Sequence, residues 1–186
     1  MKKDIKKQIE KKDKKKSNIG WIIKITILAF IISIIFSILS ESIKNFNIII
    51  AIIILILFIG IGILFDMIGI AVASADEEPF HSMSSRKIKG AKLAVKLKKN
   101  ADKVSSFCND VIGDICGIIS GTVGVTIGIN LANMFNISII IVSLVVTGLI
   151  ASLTIGGKAM GKTFAINKSN IILYEFSKAL SIFYKK

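Results

Sequence analysis

Several residue types are scarce in this 186-residue chain, and each scarcity removes a class of function. Histidine occurs once, at His81, close to Phe80 and to Pro79, the sole proline. A lone histidine cannot form a catalytic triad, and no nucleophile with a base is visible, so the chain does not read as an enzyme. His81 reads instead as a polar interfacial residue. Cysteine occurs twice, at Cys108 and Cys116, eight residues apart in one apolar segment. That spacing fits no metal motif and no disulfide within one helix, so both read as small packing residues. No glycine-rich loop follows a strand pattern, which removes a phosphate cradle. "GIGIL" and "GTVGVTIGIN" lie in apolar blocks, where glycine means packing. "NIS" at Asn136 matches a glycosylation sequon but abuts the membrane and is set aside.

Acidic residues are also few, 12 against 25 Lys and Arg, for a net charge of +13. Such a balance can signal nucleic acid. Here the basic residues fall at the ends of apolar blocks, where topology signals belong, so nucleic acid is not expected as a partner. The chain is 53% hydrophobic. Its apolar residues come in blocks of about twenty, the length that crosses a hydrocarbon core of ~30 Å as helix. The fold class expected is an all-α membrane protein with four transmembrane helices plus interfacial juxtamembrane helices. The abundance of isoleucine and lysine fits an AT-rich, bacterial coding genome.

A basic tail, residues 1–17, carries nine lysines and reads as solvated. A first span over 19–39 and a short outer loop make up residues 18–47. Trp21 sits where an interfacial anchor belongs, and Lys24 is placed to snorkel. A cleaved signal peptide is the rival reading, opposed by the long apolar part and the lack of a small-x-small site. The second, third and fourth spans are read at 48–75, 104–129 and 137–155. The segment 76–103 holds eight basic residues and the part from Gly156 onward six lysines, whereas the loops at 40–47 and 130–136 hold one basic residue and none. The positive-inside rule then places both termini and 76–103 in the cytoplasm of a multi-pass plasma membrane protein.

Two stretches outside the spans look amphipathic. Lys89, Lys92, Lys96, Lys99 and Lys103 form one helical stripe, with Ala91, Ala94, Val95 and Leu97 mainly opposite. Ile172, Phe176, Ala179, Leu180 and Phe183 make an apolar face with Glu175 and Lys178 elsewhere. Both read as helices in the membrane interface with lysines toward anionic lipid.

Charge inside the spans is costly, ~2.5–3.5 kcal/mol per central Asp on insertion scales. Asp66, Asp110 and Asp114 bear that cost. Positions 110, 113, 114, 117, 121, 124 and 128 form one stripe of Asp and Gly, expected to face protein, with Asn109 and Ser120 flanking it. Glu77 is eleven residues after Asp66, three helical turns on, and Ser74 lies nearby. Two spans thus bring carboxylates toward one wet interior. Mg²⁺ takes oxygen ligands and keeps several waters, so Asp114, Ser74 and Glu77, supported by Asn109, Asp110 and Asp66, are its candidate ligands. The plainer alternatives are that Asp110 helps start a helix at the membrane edge, that the glycines only pack, and that Asp114 is protonated or paired with a lysine.

Three segments carry a family resemblance. "ASADEEPFHSMSSRKIKGAKLA" resembles the serine-x-x-glutamate segment of the CNNM/CorB transmembrane domain, matching Ser74 and Glu77. "VIGDICGIISG" resembles its Ile-Gly-Asn-Asn-Leu stretch, with Asp114 at an asparagine position. "GKAMGKTFA" resembles its Gly-Glu-x-x-Pro-Lys-[ST]-x-Ala motif, with Lys162, Thr163 and Ala165 in register. The likeness covers residues 48–186 and leaves the first span as an extra. The resemblance implies a magnesium and cobalt transporter: a homodimer with a partly dehydrated Mg²⁺ among polar residues of the spans, and cytoplasmic CBS domains that bind ATP. No CBS domain follows within this sequence, so no ATP site is expected. Lys158 stands at the motif glutamate and Gly161 at the motif proline. Lys158 is therefore expected to pair with Asp114 as an internal counter-ion.

The expected function is divalent cation transport or binding, Mg²⁺ first and Co²⁺ second, with a degenerate, non-transporting form as the reading that Lys158 implies. The other expected function is a non-transporting membrane partner of a CBS-containing homologue, as a homodimer or a hetero-assembly.

Overall fold

A computed structural model describes residues 19–43 and 47–183. Among these, every regular element is a helix. In order they are α1 (Ile19–Ile43), α2 (Ile48–Ser74), α3 (Glu78–Ser85), α4 (Ala91–Lys99) and α5 (Ala101–Ser106). A π-helical stretch (Phe107–Gly113) follows, then α6 (Asp114–Phe135), α7 (Ile139–Asn167) and α8 (Ser169–Phe183). The basic tail and Lys44 lie outside the described residues.

Four helical segments are long and apolar enough to cross a membrane: Ile19–Ile38, Ile48–Ser74, Ala101–Phe135 and Ile139–Asn167. The chain is an all-α, multi-pass membrane protein. The third and fourth segments have 35 and 29 residues. At about 1.5 Å per residue they exceed a ~30 Å core, so they continue past the 104–129 and 137–155 read from hydropathy. Polar residues such as Lys158 and Lys162 end the apolar run but not the helix.

The core between the spans is built by Leu55 and Phe58 of α2 with Ile115, Ile119, Val123 and Ile127 of α6 and Ile150 of α7. Residues of α1 cover one side, with Phe36 edge-on to Phe58 at 5.7 Å between ring centres. Cys108 and Cys116 are free and buried. Several hydroxyls within the spans fold back on their own helices, whereas the buried Ser143 Oγ has no hydrogen-bond partner among the described residues. Ser120 Oγ donates to Cys116 O at 2.7 Å, Thr147 Oγ1 to Ser143 O at 2.7 Å and Thr154 Oγ1 to Ile150 O at 2.8 Å. That satisfies groups for which lipid offers no partner.

Glycine sets the closest approaches, though not along the whole predicted stripe. A β-carbon at Gly128 would lie 3.0 Å from Ser143 Cα, so α6 and α7 meet there almost backbone to backbone. Gly124 is filled by Ile150. Gly117 and Gly121 have nothing within 4 Å, so this part of the expected packing stripe is open.

The lysine-rich end is a second small core: Val72, Ala75, Phe80, Ala94 and Leu173. Ala91 and Ala94 are buried, as their spacing implies, but against protein rather than lipid. The lysine stripe is broken at Gly90 and Asn100, which flank α4. Gly90 takes φ 87°, and a β-carbon there would press on the Lys178 backbone of α8. The inward face of α8 also differs from the expected one. Leu173 and Ser177 are fully buried while Ala179 is exposed, because the helix rests on the end of α2 and on α4. The Phe183 side chain lies outside the described residues.

Polar contacts tie this end together. Lys98 Nζ donates to Ala73 O at 2.8 Å and Val72 O at 3.3 Å, capping the C-terminus of α2 with a cation. The Asp76 amide donates to Asn170 Oδ1 at 2.8 Å, and Asn170 Nδ2 donates back to Asp76 Oδ2 at 3.2 Å.

Candidate functional site

The polar cluster is made by three helices. Met67 and Ile63 of α2 sit one turn apart and fill the spaces above Gly161 and Gly157 of α7. A β-carbon at Gly161 would come within 2.8 Å of Met67 Cγ. These glycines let α7 lie against α2, which carries Lys158 toward Asp66. Gly113 does the same from the third segment: a β-carbon there would meet Lys158 Nζ at 3.5 Å and Asp66 Oδ1 at 3.9 Å.

Lys158 Nζ lies 4.0 Å from Asp66 Oδ1 and 3.9 Å from Asp114 Oδ1. The two contacts differ in surroundings. The Asp66 side chain is 15% exposed and that of Lys158 25%, whereas that of Asp114 is 68% exposed. Attraction between two shielded charges is screened less, so Asp66 is the stronger partner. The sequence left Asp66 without a partner; the expected pairing of Lys158 was with Asp114. Counting about 1.5 Å per residue from the far ends of their helices puts Asp66 about 27 Å from Ile48, Lys158 about 29 Å from Ile139 and Asp114 about 32 Å from Phe135. All three therefore reach one level, near the lysine-rich boundary of a ~30 Å core.

The other expected ligands are elsewhere. Asp110 is exposed in a groove beside α1, lined by Trp21, Ile25 and Ser106. Asp110 thus borders the α1 side of the third segment, whereas Asp114, one turn on, reaches Lys158 of α7. Asn109 packs on α2. Its Nδ2 donates to Ser105 Oγ at 3.4 Å, and its buried Oδ1 rests on Gly69 without a hydrogen bond.

Ser74 is the last residue of α2 and is exposed, eight residues and about 12 Å along the helix from Asp66. Glu77 does not share a face with Asp66. The helix ends at Ser74, and the extended Ala75, with ψ 152°, turns the chain away. Glu77 instead meets His81, Oε1 to Nε2 at 2.9 Å.

That hydrogen bond holds the Glu77 carboxyl below its ordinary 4.5, with coulombic attraction from His81, Lys99 and Lys98 assisting. A lowered carboxyl pKa contributes stability that is complete above pH 4.5 and is lost as pH falls through the lowered value. In His81→Ala the Glu77 carboxyl is expected to titrate closer to 4.5, measured by NMR. An unchanged titration would count against the contact.

Among the described residues, no group of three or more His, Cys, Asp or Glu side chains is placed to hold a metal. In the cluster around Lys158 the two carboxylates face an ammonium rather than an open space between acidic groups. It is an ion-pair site at the lysine-rich end of the apolar helices in a helical multi-pass membrane protein. Comparison with family models, curated proteins and solved structures finds no match to this chain.

Proposed function

We propose that this protein is a CorB-like divalent-cation site protein in which Lys158 holds the place of the transported ion. The reading is carried by one observation: a single ammonium sits about equally far from two carboxylates of different helices, at 4.0 and 3.9 Å. Those carboxylates are the anions a Mg²⁺ would use. At ~4 Å and an effective dielectric of ~20, a unit pair is worth ~4 kcal/mol, and a divalent ion beside the ammonium meets roughly twice that as repulsion. The motif difference agrees with this, since Lys158 stands where the resembled family has glutamate.

The protein then binds no Mg²⁺ at this site while Lys158 is charged and present. Wild-type protein in liposomes loaded with a Mg²⁺ indicator is expected to give no flux above protein-free liposomes. Lys158→Glu is expected to melt at higher temperature when Mg²⁺ is added, since a ligand that binds only the folded state stabilises it. Wild-type flux that Asp114→Ala abolishes would overturn the reading and make the protein a working transporter.

A second reading is favoured by a different observation. Asp114 and Ile118 are each 68% exposed, and Gly117 and Gly121 beside them are open. A carboxylate and small residues on one membrane face suit a second protein helix better than lipid. In this reading the protein is a regulatory membrane partner, pairing with itself or with a CBS-containing homologue. Gly121→Leu is expected to lower the assembled fraction seen by light scattering in detergent while leaving the helical content unchanged. A wild-type protein that is monomeric alone and beside such a homologue would exclude it.

A further inference from the structure

Beside the ion pair, on the neighbouring face of α2 that carries Phe65, lies a cavity of about 430 Å³. Its walls include Phe65 of α2, Phe107 of the π-helical stretch, Phe176 and Leu180 of α8, and Trp21 of α1. Its one charged lining residue is Lys103. The Lys103 ammonium stands 5.2 Å from the centre of the Trp21 ring. Phe65 precedes Asp66, so the cavity sits at the same level, about 26 Å from Ile48 and close to the boundary of the hydrocarbon core.

An apolar slot with one cation at a membrane boundary matches one chemistry: a hydrocarbon chain inside and an anionic headgroup outside. We propose that this cavity binds an anionic phospholipid, with an acyl chain between Phe65, Phe107 and Leu180 and the headgroup phosphate on Lys103. Trp21 has the role of a boundary aromatic, apolar body toward the chain and ring face toward the lysine. The site uses none of the residues of the ion pair.

Charge selects the occupant. The segment 1–18 carries nine lysines against three acidic residues, so Lys103 repels it as a competitor. A zwitterionic lipid offers the same chain but no net charge for the ammonium. Asp110 does not oppose the headgroup from within the cavity, since it lines the separate groove on the α1 side. The neighbouring Lys98 is engaged by the α2 carbonyls, and Lys103 is the cation that lines the cavity.

Trp21, the only tryptophan, lines both this cavity and the Asp110 groove, so its fluorescence reports lipid at this corner and the Lys103 and Val104 variants assign the signal to the cavity. The full chain is placed in vesicles containing phosphatidylglycerol or phosphatidylcholine with brominated acyl chains, which quench on contact. Brominated phosphatidylglycerol is expected to associate about fivefold more strongly than brominated phosphatidylcholine, the ratio that ~1 kcal/mol per basic residue gives. Lys103→Gln should remove that preference and Lys103→Arg should keep it. Val104→Phe, which narrows the cavity, should lower quenching by both lipids with the charge intact. Equal quenching by the two lipids in the wild type overturns the proposal, as does a preference that survives Lys103→Gln. A Lys103→Gln protein that loses its helical content leaves the wild-type ratio and the Val104→Phe result to decide.

Discussion

Lys158→Met is expected to lower the stability of the folded protein by about 2–4 kcal/mol. Methionine keeps the apolar stem that packs between α2 and α7 and removes only the charge. The Asp66 carboxylate, 15% exposed, is then left without its cation. Removing one partner of a shielded pair costs more than removing both, because the remaining charge stays desolvated. Asp66→Asn added to Lys158→Met should therefore recover most of the loss.

Asp114 separates this account from a generic loss of charge. Its side chain is 68% exposed, so Asp114→Asn should cost under about 1 kcal/mol in detergent, where solvent reaches it. Thermal unfolding followed by far-UV circular dichroism gives the ranking. If Asp114→Asn proves costlier than Asp66→Asn, the assignment of Asp66 as the principal partner is wrong. The same ranking bears on function. A cation held chiefly by α2 is part of the scaffold, and exchanging it for Mg²⁺ disturbs the helix pair that carries the site.

Gly69→Val is the second substitution with a large expected effect, about 2–4 kcal/mol of destabilisation or failure to assemble. A β-carbon at Gly69 would coincide with Asn109 Oδ1 and lie 3.1 Å from Cys108 Cβ. The Asn109 atoms in the way are the end of a short side chain whose Oδ1 is buried, whereas Cys108 Cβ is fixed to its own backbone and cannot turn aside. Gly69→Ala should be milder and should be largely relieved by Asn109→Ala, which deletes the colliding amide. Gly69→Val should not be relieved, because its branches still meet Cys108. The double-mutant cycle is read from melting temperatures. Additive effects of Gly69→Ala and Asn109→Ala would mean that the two positions are not in contact.

Asn109 illustrates where sequence reading stopped. Its place in an apolar segment, next to Asp110, made it a candidate ligand. The structure uses it as a packing residue whose oxygen rests on glycine. Asp66 went the other way. Alone in its apolar run, it showed no partner, because the partner is 92 residues further on (158 − 66) and becomes a neighbour only when α7 crosses α2. Its spacing from Glu77 was counted correctly but rested on a helix that ends at Ser74.

The sequence by itself determined the solvent, the number of apolar helices and their approximate limits. Those follow from runs of apolar residues, whose length and composition act locally. Lys158 was singled out as a cation among carboxylates only through the motif resemblance, at whose glutamate position it stands. Tertiary structure alone decided which carboxylates share that cation, which glycines are filled and which stay open, and that the lysine-rich end is a packed core. These depend on how helices cross and on one π-helical stretch. The crossings arise from contacts between residues far apart in the chain, and the π-helical stretch departs from the 3.6-residue period on which a helical face is counted.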